Sequence, residues 1–191
     1  MGQQSYMPLK SYLGKVKEVS QLPIDALNHF KRAGVFISIK NNKDKYYLFS
    51  VQTGSSSKTP FIRDFGGHIE PGEHPIHAAL REFDEESLGV FNTYISDELF
   101  LESNVHGFND NLYVFIELKD ISVQGIIKEF DERKNNLPPD TPDCMKETNK
   151  IISINRNSIY KQLKLKHHVK EKQMYYGPSL WKIIRAFVFV I

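Results

Sequence analysis

The chain is nearly free of cysteine. Cys144 is the only one in 191 residues, so an internal disulfide framework is excluded. A zinc finger built on paired Cys and His ligands is excluded with it. A lone thiol suits a reducing compartment, which makes a cytoplasmic setting the expectation. The N-terminus reads Met1-Gly2-Gln3-Gln4-Ser5-Tyr6. It has no secretory pattern, and Tyr6 stands where a myristoylation signal wants Ser or Thr. Long apolar runs are also missing. The longest, Ala186 to Ile191, is far short of the roughly 20 residues a membrane helix needs, so no membrane partner is expected. Charge of one sign is missing too. There are 25 basic and 23 acidic residues, for a net +2, which says little about partners. No internal repeat or long low-complexity tract occurs. The length suits one domain, and a chain of this size buries about 70% of its unfolded surface without staples.

What is there is an alternation of strand and helix patterns. Residues 1–20 are polar and weakly patterned, which reads as an arm or edge segment. Leu22-Pro23-Ile24 opens a short helical pattern with Leu27 and Phe30 inside, ended by Gly34. Residues 1–29 are thus an N-terminal arm or short helix, and 30–191 the main domain. Val35 to Ile39 and Tyr46 to Val51 are β-rich and flank the turn residues Asn41 to Asp44, so they predict a hairpin. Thr53 to Ser57 is a polar loop. Pro75 to Ser87 has helical spacing. Leu99 to Val105 and Leu112 to Leu118 predict two strands joined by a turn at Gly107 to Asp110. Ile126, Ile127 and Phe130 suggest a helix, and Asn135 to Asp143, with Pro138, Pro139 and Pro142, a loop. Ile151 to Ile154 reads as a short strand. Asn157 caps a helix to Leu165, and Pro178 starts a last helix carrying Leu180, Trp181, Ile184 and Phe187. The class is α/β or α+β around a mixed sheet.

The segment from Gly67 to Glu86 carries the chemistry. On a helix with Glu82 at zero, Glu86 lies about 40° to one side and Glu85 about 60° to the other. Three carboxylates share one narrow face with the small Ala78. Ile76, Ala79, Leu80, Phe83 and Ser87 cluster beside them as the buried stripe. Like charges at these spacings repel, and no lysine is interspersed. A divalent cation would relieve the repulsion, and carboxylate oxygens suit Mg²⁺ or Mn²⁺. Mg²⁺ commonly bridges a few carboxylates to substrate phosphates, which points to phosphate chemistry. Gly66-Gly67 permits close backbone approach, and Gly72 permits a tight turn after Pro71. The loop can then fold back and offer a backbone carbonyl as a further ligand. Arg81 can meet Glu73 across the loop or Glu85 one turn on.

This run resembles the box of the Nudix hydrolase family, Gly-x5-Glu-x7-Arg-Glu-apolar-x-Glu-Glu-x-Gly-apolar, over residues 67–90. Every fixed polar position through Glu86 is filled. One departure stands out: Ser87 and Leu88 both precede Gly89, where the family has a single residue. The departure touches the helix cap and leaves the carboxylate face intact. The resemblance implies a Nudix fold, an α/β/α sandwich with a mixed β-sheet. It implies an enzyme, a Mg²⁺-dependent pyrophosphohydrolase (Mn²⁺ as an alternative), acting on a nucleoside diphosphate linked to another group. By the same resemblance Glu82, Glu85 and Glu86 hold the metal, the Gly66 carbonyl is a further ligand, and Glu73 and Arg81 orient the carboxylates. One of the three glutamates would take the proton of the attacking water. The family often adds a later acid as base or ligand. Glu147 is the first choice, with Glu129 and Glu132 as rivals and a solvated surface acid as the plain alternative.

Other residues carry weaker signals. Arg63 and His68 flank the glycines and either contact a phosphate or serve as ordinary surface residues. His74 and His77 read as exposed residues near the helix start, and Cys144 as a bystander. The basic run 161–172 (Lys161, Lys164, Lys166, Lys170 and Lys172 with His167 and His168) is either a solvated face or an RNA-attracting patch. It keeps 5′-cap decapping, or another RNA-end hydrolysis, as an alternative function. A non-catalytic nucleotide- or RNA-binding domain is a further alternative, since fold does not fix function. Nudix enzymes are often dimers, so a homodimer is admissible, with residues 1–20 padding its interface.

Overall fold

The computed structural model describes residues 6–7, 29–53, 60–96, 99, 103–108, 110–164, 170–171, 174–176, 180 and 184. Ten strands among them form one mixed sheet. They are β1 (Tyr6–Met7), β2 (Arg32–Asn41), β3 (Asp44–Thr53), β4 (Pro60–Arg63), β5 (Phe65–His68), β6 (Asn104–Phe108), β7 (Asn111–Lys119), β8 (Thr148–Asn155), β9 (Lys170–Glu171) and β10 (Met174–Tyr176). The helices described from end to end are α1 (Pro75–Ser87), α2 (Val123–Asn135) and α3 (Arg156–Lys164).

The centre is β2, and it forks. Along its whole length it runs parallel to β7, from Arg32 beside Asn111 to Lys40 beside Lys119. On the other edge its first half pairs with β5 (Arg32 with His68, Val35 with Phe65). Its second half pairs with β3 (Ile37 with Leu48, Asn41 with Asp44). Strand β3 then leaves β2 to pair with β4 and β8. Buried apolar residues on both faces explain why β2 and β7 read as near-continuous hydrophobic runs. At the fork the backbones of Gly34 and Gly66 lie opposite one another. A Cβ on Gly66 would sit 2.5 Å from the Gly34 Cα and the Ala33 carbonyl oxygen, so glycine is required there.

One face packs Val35, Ile37, Ile39, Leu112, Val114 and Ile116 against Ile76, Ala79 and Phe83 of α1 and Ile126 and Phe130 of α2. Phe83 stacks on Phe91 at 5.0 Å and meets the edge of Phe65 at 5.4 Å, contacts worth about 0.5–1.5 kcal/mol each beyond their area. The opposite face packs Phe36, Tyr47, Phe49, Tyr113 and Phe115 against Ile159 of α3 and against Leu180 and Ile184. The sheet is therefore covered on both faces, as the sequence predicts. No helix among the described residues is long and apolar enough to cross a membrane.

Several local expectations change. Gly34 does not end a helix; it lies inside β2, where the fork demands it. The strand predicted at 99–105 begins only at Asn104, and Leu99 is helical. Its strand continues to Phe108, so the predicted turn at 107–110 shrinks. The helix suggested by Ile126 to Phe130 is α2, capped by the Ser122 hydroxyl, which accepts from the Gly125 N–H at 3.0 Å. The proline loop ends in a 3-10 turn, Asp143–Lys146. The Leu22 to Asn28 pattern and most of the arm, the basic run and the last helix lie outside the described residues.

Candidate active site

Helix α1 is built for its position. His74 is its N-cap, the Nδ1 accepting from the Ile76 N–H at 3.3 Å, and Pro75 opens the first turn. The sequence predicts an exposed His74 near the helix start; it is half-buried and caps that start. His77 is exposed, as expected. The loop before the helix turns at Gly72, whose φ is +82°. There the Glu73 N–H donates to the Glu70 carbonyl at 2.9 Å, and the Glu70 N–H to the Glu73 carboxylate at 3.0 Å.

The far end of α1 explains the departure in the motif. Leu88 occupies the left-handed C-cap at φ +54°, and Gly89 is left-handed too at φ +66°. A leucine thus stands where the family's glycine would be, in a conformation that costs a non-glycine residue about 1–2 kcal/mol. Its side chain is buried, and its carbonyl accepts from Arg133 of α2 at 2.7 Å. Packing and that hydrogen bond hold the strained cap.

The three glutamates of α1 do not form one equally solvated face. Ala78 and Glu86 are buried. The Glu86 carboxylate sits between two strands, accepting from the Gly66 N–H of β5 at 2.8 Å and from Gln52 Nε2 of β3 at 2.5 Å. Burial pushes it up to about 8, against the pull of those two hydrogen bonds, and nearby Asp64 adds to the rise. Glu82 is also raised, by burial first, although Arg81 opposes it. A Cβ on Gly67 would collide with the Glu82 carboxyl group, so the motif's first glycine makes room for that carboxylate. Glu85 is the more exposed of the three.

Arg81 braces the loop and the helix. It reaches Glu73 at 2.9 and 3.0 Å, Glu82 at 2.9 Å, Glu85 at 3.5 Å, and the His68 carbonyl at 3.1 Å. Both pairings considered from the sequence are therefore made. Its hydrogen bond holds Glu73 below the ordinary carboxylate range. A second arginine was not visible from the sequence. Arg32 of β2 donates to Asp64 at 2.7 Å and to the Gly66 carbonyl at 2.7 Å. Burial is the largest single influence and works against its charge, but Asp64, Tyr113 and Glu86 together raise its pKa. The Gly66 carbonyl, predicted as a metal ligand, is thus engaged by Arg32 here, while its N–H holds Glu86.

The remaining candidates separate. Arg63 is exposed and donates to Gln52 at 3.2 Å, so it reaches Glu86 through that amide. His68 is exposed and gives Arg81 its carbonyl. Glu147 is exposed and follows the 3-10 turn; its neighbour Thr148 pairs with Gln52. Glu129 and Glu132 are away from this cluster, ion-paired along α2 with Arg133 and Lys128. Cys144, read as a bystander, is exposed on the 3-10 turn; burial, then the charge of Glu85, raises its pKa.

Among the described residues no three His, Cys, Asp or Glu side chains converge tightly enough to grip one ion as they stand. The donor set nevertheless fits a hard divalent cation. It offers carboxylate oxygens only, on adjacent turns, and Glu86 is a buried acid whose two hydrogen-bond donors are neutral.

No family model matches the chain, and no curated protein does. Solved structures similar to it include a C. elegans Ap4A hydrolase in a binary complex, at 17% identity and TM-score 0.45, covering 83% of this chain and 94% of that one. A second structure of C. elegans Ap4A hydrolase has 16% identity and TM-score 0.42, covering 85% and 98%. A NUDIX hydrolase from Nitrosomonas europaea has 14% identity and TM-score 0.36, covering 81% and 88%.

Proposed function

We propose that the chain is a Nudix-type enzyme that hydrolyses a diphosphate bond in a nucleoside diphosphate joined to a second group, with Mg²⁺ or Mn²⁺ as cofactor. The observation that carries this reading is the pairing of motif and geometry. Glu86 accepts from the Gly66 N–H, Glu82 lies against Gly67, and Arg81 ties Glu82 and Glu85 to Glu73 of the preceding loop. Glu82, Glu85 and Glu86 would hold the cation. When bound, it would neutralise charge on the diphosphate and make water more acidic. Glu85, the most accessible carboxylate, takes the proton of the attacking water. Arg81 holds Glu82 and Glu85 in register. Arg32 fixes the Gly66 peptide, so that its N–H stays on Glu86.

The test is hydrolysis of a panel of diphosphate compounds, with 5′-capped RNA included, by wild-type protein and by Glu85→Gln, in ¹⁸O-labelled water. Metal-dependent cleavage by the wild type that the variant loses is the result expected. Cleavage that survives in the variant removes this mechanism. Turnover of capped RNA alone selects the RNA-end alternative. Metal-independent binding without turnover selects the non-catalytic one.

A further inference from the structure

The other end of β2 carries a second charged site of opposite sign. Strand register aligns its side chains on the face opposite α1. Ser38 lies between Tyr47 of β3 and Glu117 of β7. One step further, Lys40 lies between Lys45 and Lys119. The next residue in line comes from α3: Asn155 pairs with Tyr46, and Arg156 follows it. Lys40 is six residues from Gly34 at the fork, roughly 20 Å along the strand, so this row is remote from α1.

Two cavities of about 340 Å³ each meet here and share Lys45 and Glu117 as a common wall. Their linings contain Lys40, Lys43, Lys45, Lys119 and Arg156. Among the described lining residues Glu117 is the one acid. Lys45 is buried and spends its charge on Glu117 at 2.6 Å. Like charges on directly paired strand positions repel, so five cations around one carboxylate leave a strongly positive hollow. The N-terminus of α3 opens into the same hollow, with Arg156 and Asn157 in its wall, and adds its own positive end.

Tyr47 lines the first cavity and is 4% exposed. Its hydroxyl is closed to solvent and has no hydrogen-bond partner among the described residues, so the ring rather than the oxygen forms the wall.

We propose that these joined cavities bind a phosphate-type anion, with Lys40, Lys43, Lys119 and Arg156 supplying charge. The site is separate from α1 and does not depend on the diphosphate chemistry assigned there. Its ligand is either free phosphate or the phosphate monoester of a small molecule. In the second case Phe36 and Phe115, which line the first cavity, would cover the organic part.

The test is a titration of the full chain, free of divalent metal and at constant ionic strength, followed by backbone amide NMR. Inorganic phosphate is one probe and adenosine monophosphate the other. The expected result is saturable shifts at 40–47 and 155–157, weakened about tenfold or more in Lys40→Gln/Arg156→Gln. Tyr47→Phe, which removes the closed-off oxygen and keeps the ring, should leave the affinity unchanged. Glu82→Gln should leave the affinity unchanged. Equal affinity for the two probes identifies free phosphate as the ligand chemistry. Tighter binding of the monophosphate identifies an ester. Absence of saturable shifts, shifts centred on Gly66 to Glu86, or affinity untouched by Lys40→Gln/Arg156→Gln would overturn the proposal. Unchanged amide positions elsewhere in the spectrum verify that each variant is folded.

Discussion

The two ends of β2 bury charge in opposite ways. At the Lys40 end, buried Lys45 is neutralised by Glu117 at 2.6 Å. Burial pushes Glu117 up, yet Lys45, helped by Lys40 and Lys119, brings the carboxylate below its ordinary range. At the Gly34 end, Glu86 is buried against an amide and a peptide N–H, both neutral, and is pushed up to about 8. Arg32 is close by but spends its hydrogen bonds on Asp64 and Gly66. The first arrangement is an internally closed pair. The second is a carboxylate with an unmet demand for positive charge, met by a proton or by a cation. A site that must take up and release a cation needs the second kind.

The largest expected effect breaks the Glu86 end. Glu86→Gln should lower metal-dependent diphosphate hydrolysis by roughly 10²–10³-fold, the usual scale for removing one electrostatic element of a site, read as initial rates at saturating Mg²⁺. The same variant tests the pH behaviour. Glu86 has a folded value raised above its unfolded one, so the folded state binds the extra proton. Its contribution is full below about 4.5 and is lost as pH rises toward 8. Thermal melts of metal-free protein should therefore lose stability across that window, and Glu86→Gln should flatten the loss. A melting temperature independent of pH from 5 to 8 would contradict the buried-acid description. The Glu117 contribution has the opposite sign, since a lowered carboxylate loses its stabilisation on acidification.

Backbone closeness at the fork gives the next effect. Gly66→Ala forces a Cβ to 2.5 Å from backbone atoms of Gly34 and Ala33, which cannot yield as a side chain does. A loss of about 2–3 kcal/mol is expected in denaturant titration. Gly67→Ala meets only the Glu82 carboxyl group. It should cost less stability and more activity, because the carboxylate moves instead. Breaking the closed pair with Glu117→Ala removes the nearest anion from a buried lysine. That should cost about 1–3 kcal/mol, below the range for a fully buried pair because Glu117 is partly exposed.

The smallest effect lies at the helix cap. Leu88→Gly relieves about 1–2 kcal/mol of left-handed strain but gives up a buried leucine worth about 1.5–3 kcal/mol. Burial wins, so the variant should be less stable by about 1 kcal/mol.

How much was legible in the sequence follows from how local each feature is. The carboxylate spacing, the Glu73–Arg81 brace and the Gly72 turn all lie within 20 residues, and helix periodicity projects them correctly. Arg32, Gln52 and Asp64 were not legible, because each reaches the site only through strand pairing at the fork. Gly34 read as a helix stop because a glycine required by a facing backbone looks the same in one dimension. The start of β6 was placed too early because Leu99 to Leu101 is apolar enough for either helix or strand. The opposing lysines of β2, β3 and β7 have ordinary spacing in sequence and become a row only in register.

The central claim is that the α1 glutamates form a cation-dependent site against the Gly66 backbone. The most direct measurement is a Mg²⁺ titration of the full chain, followed by NMR at the amides of Gly66 and Gly67 and the carboxyl carbons of Glu82, Glu85 and Glu86. The account predicts saturable shifts at all of these positions, lost in Glu85→Gln while the rest of the spectrum stays fixed. No saturable change at these positions, or the same change in the variant, would contradict it.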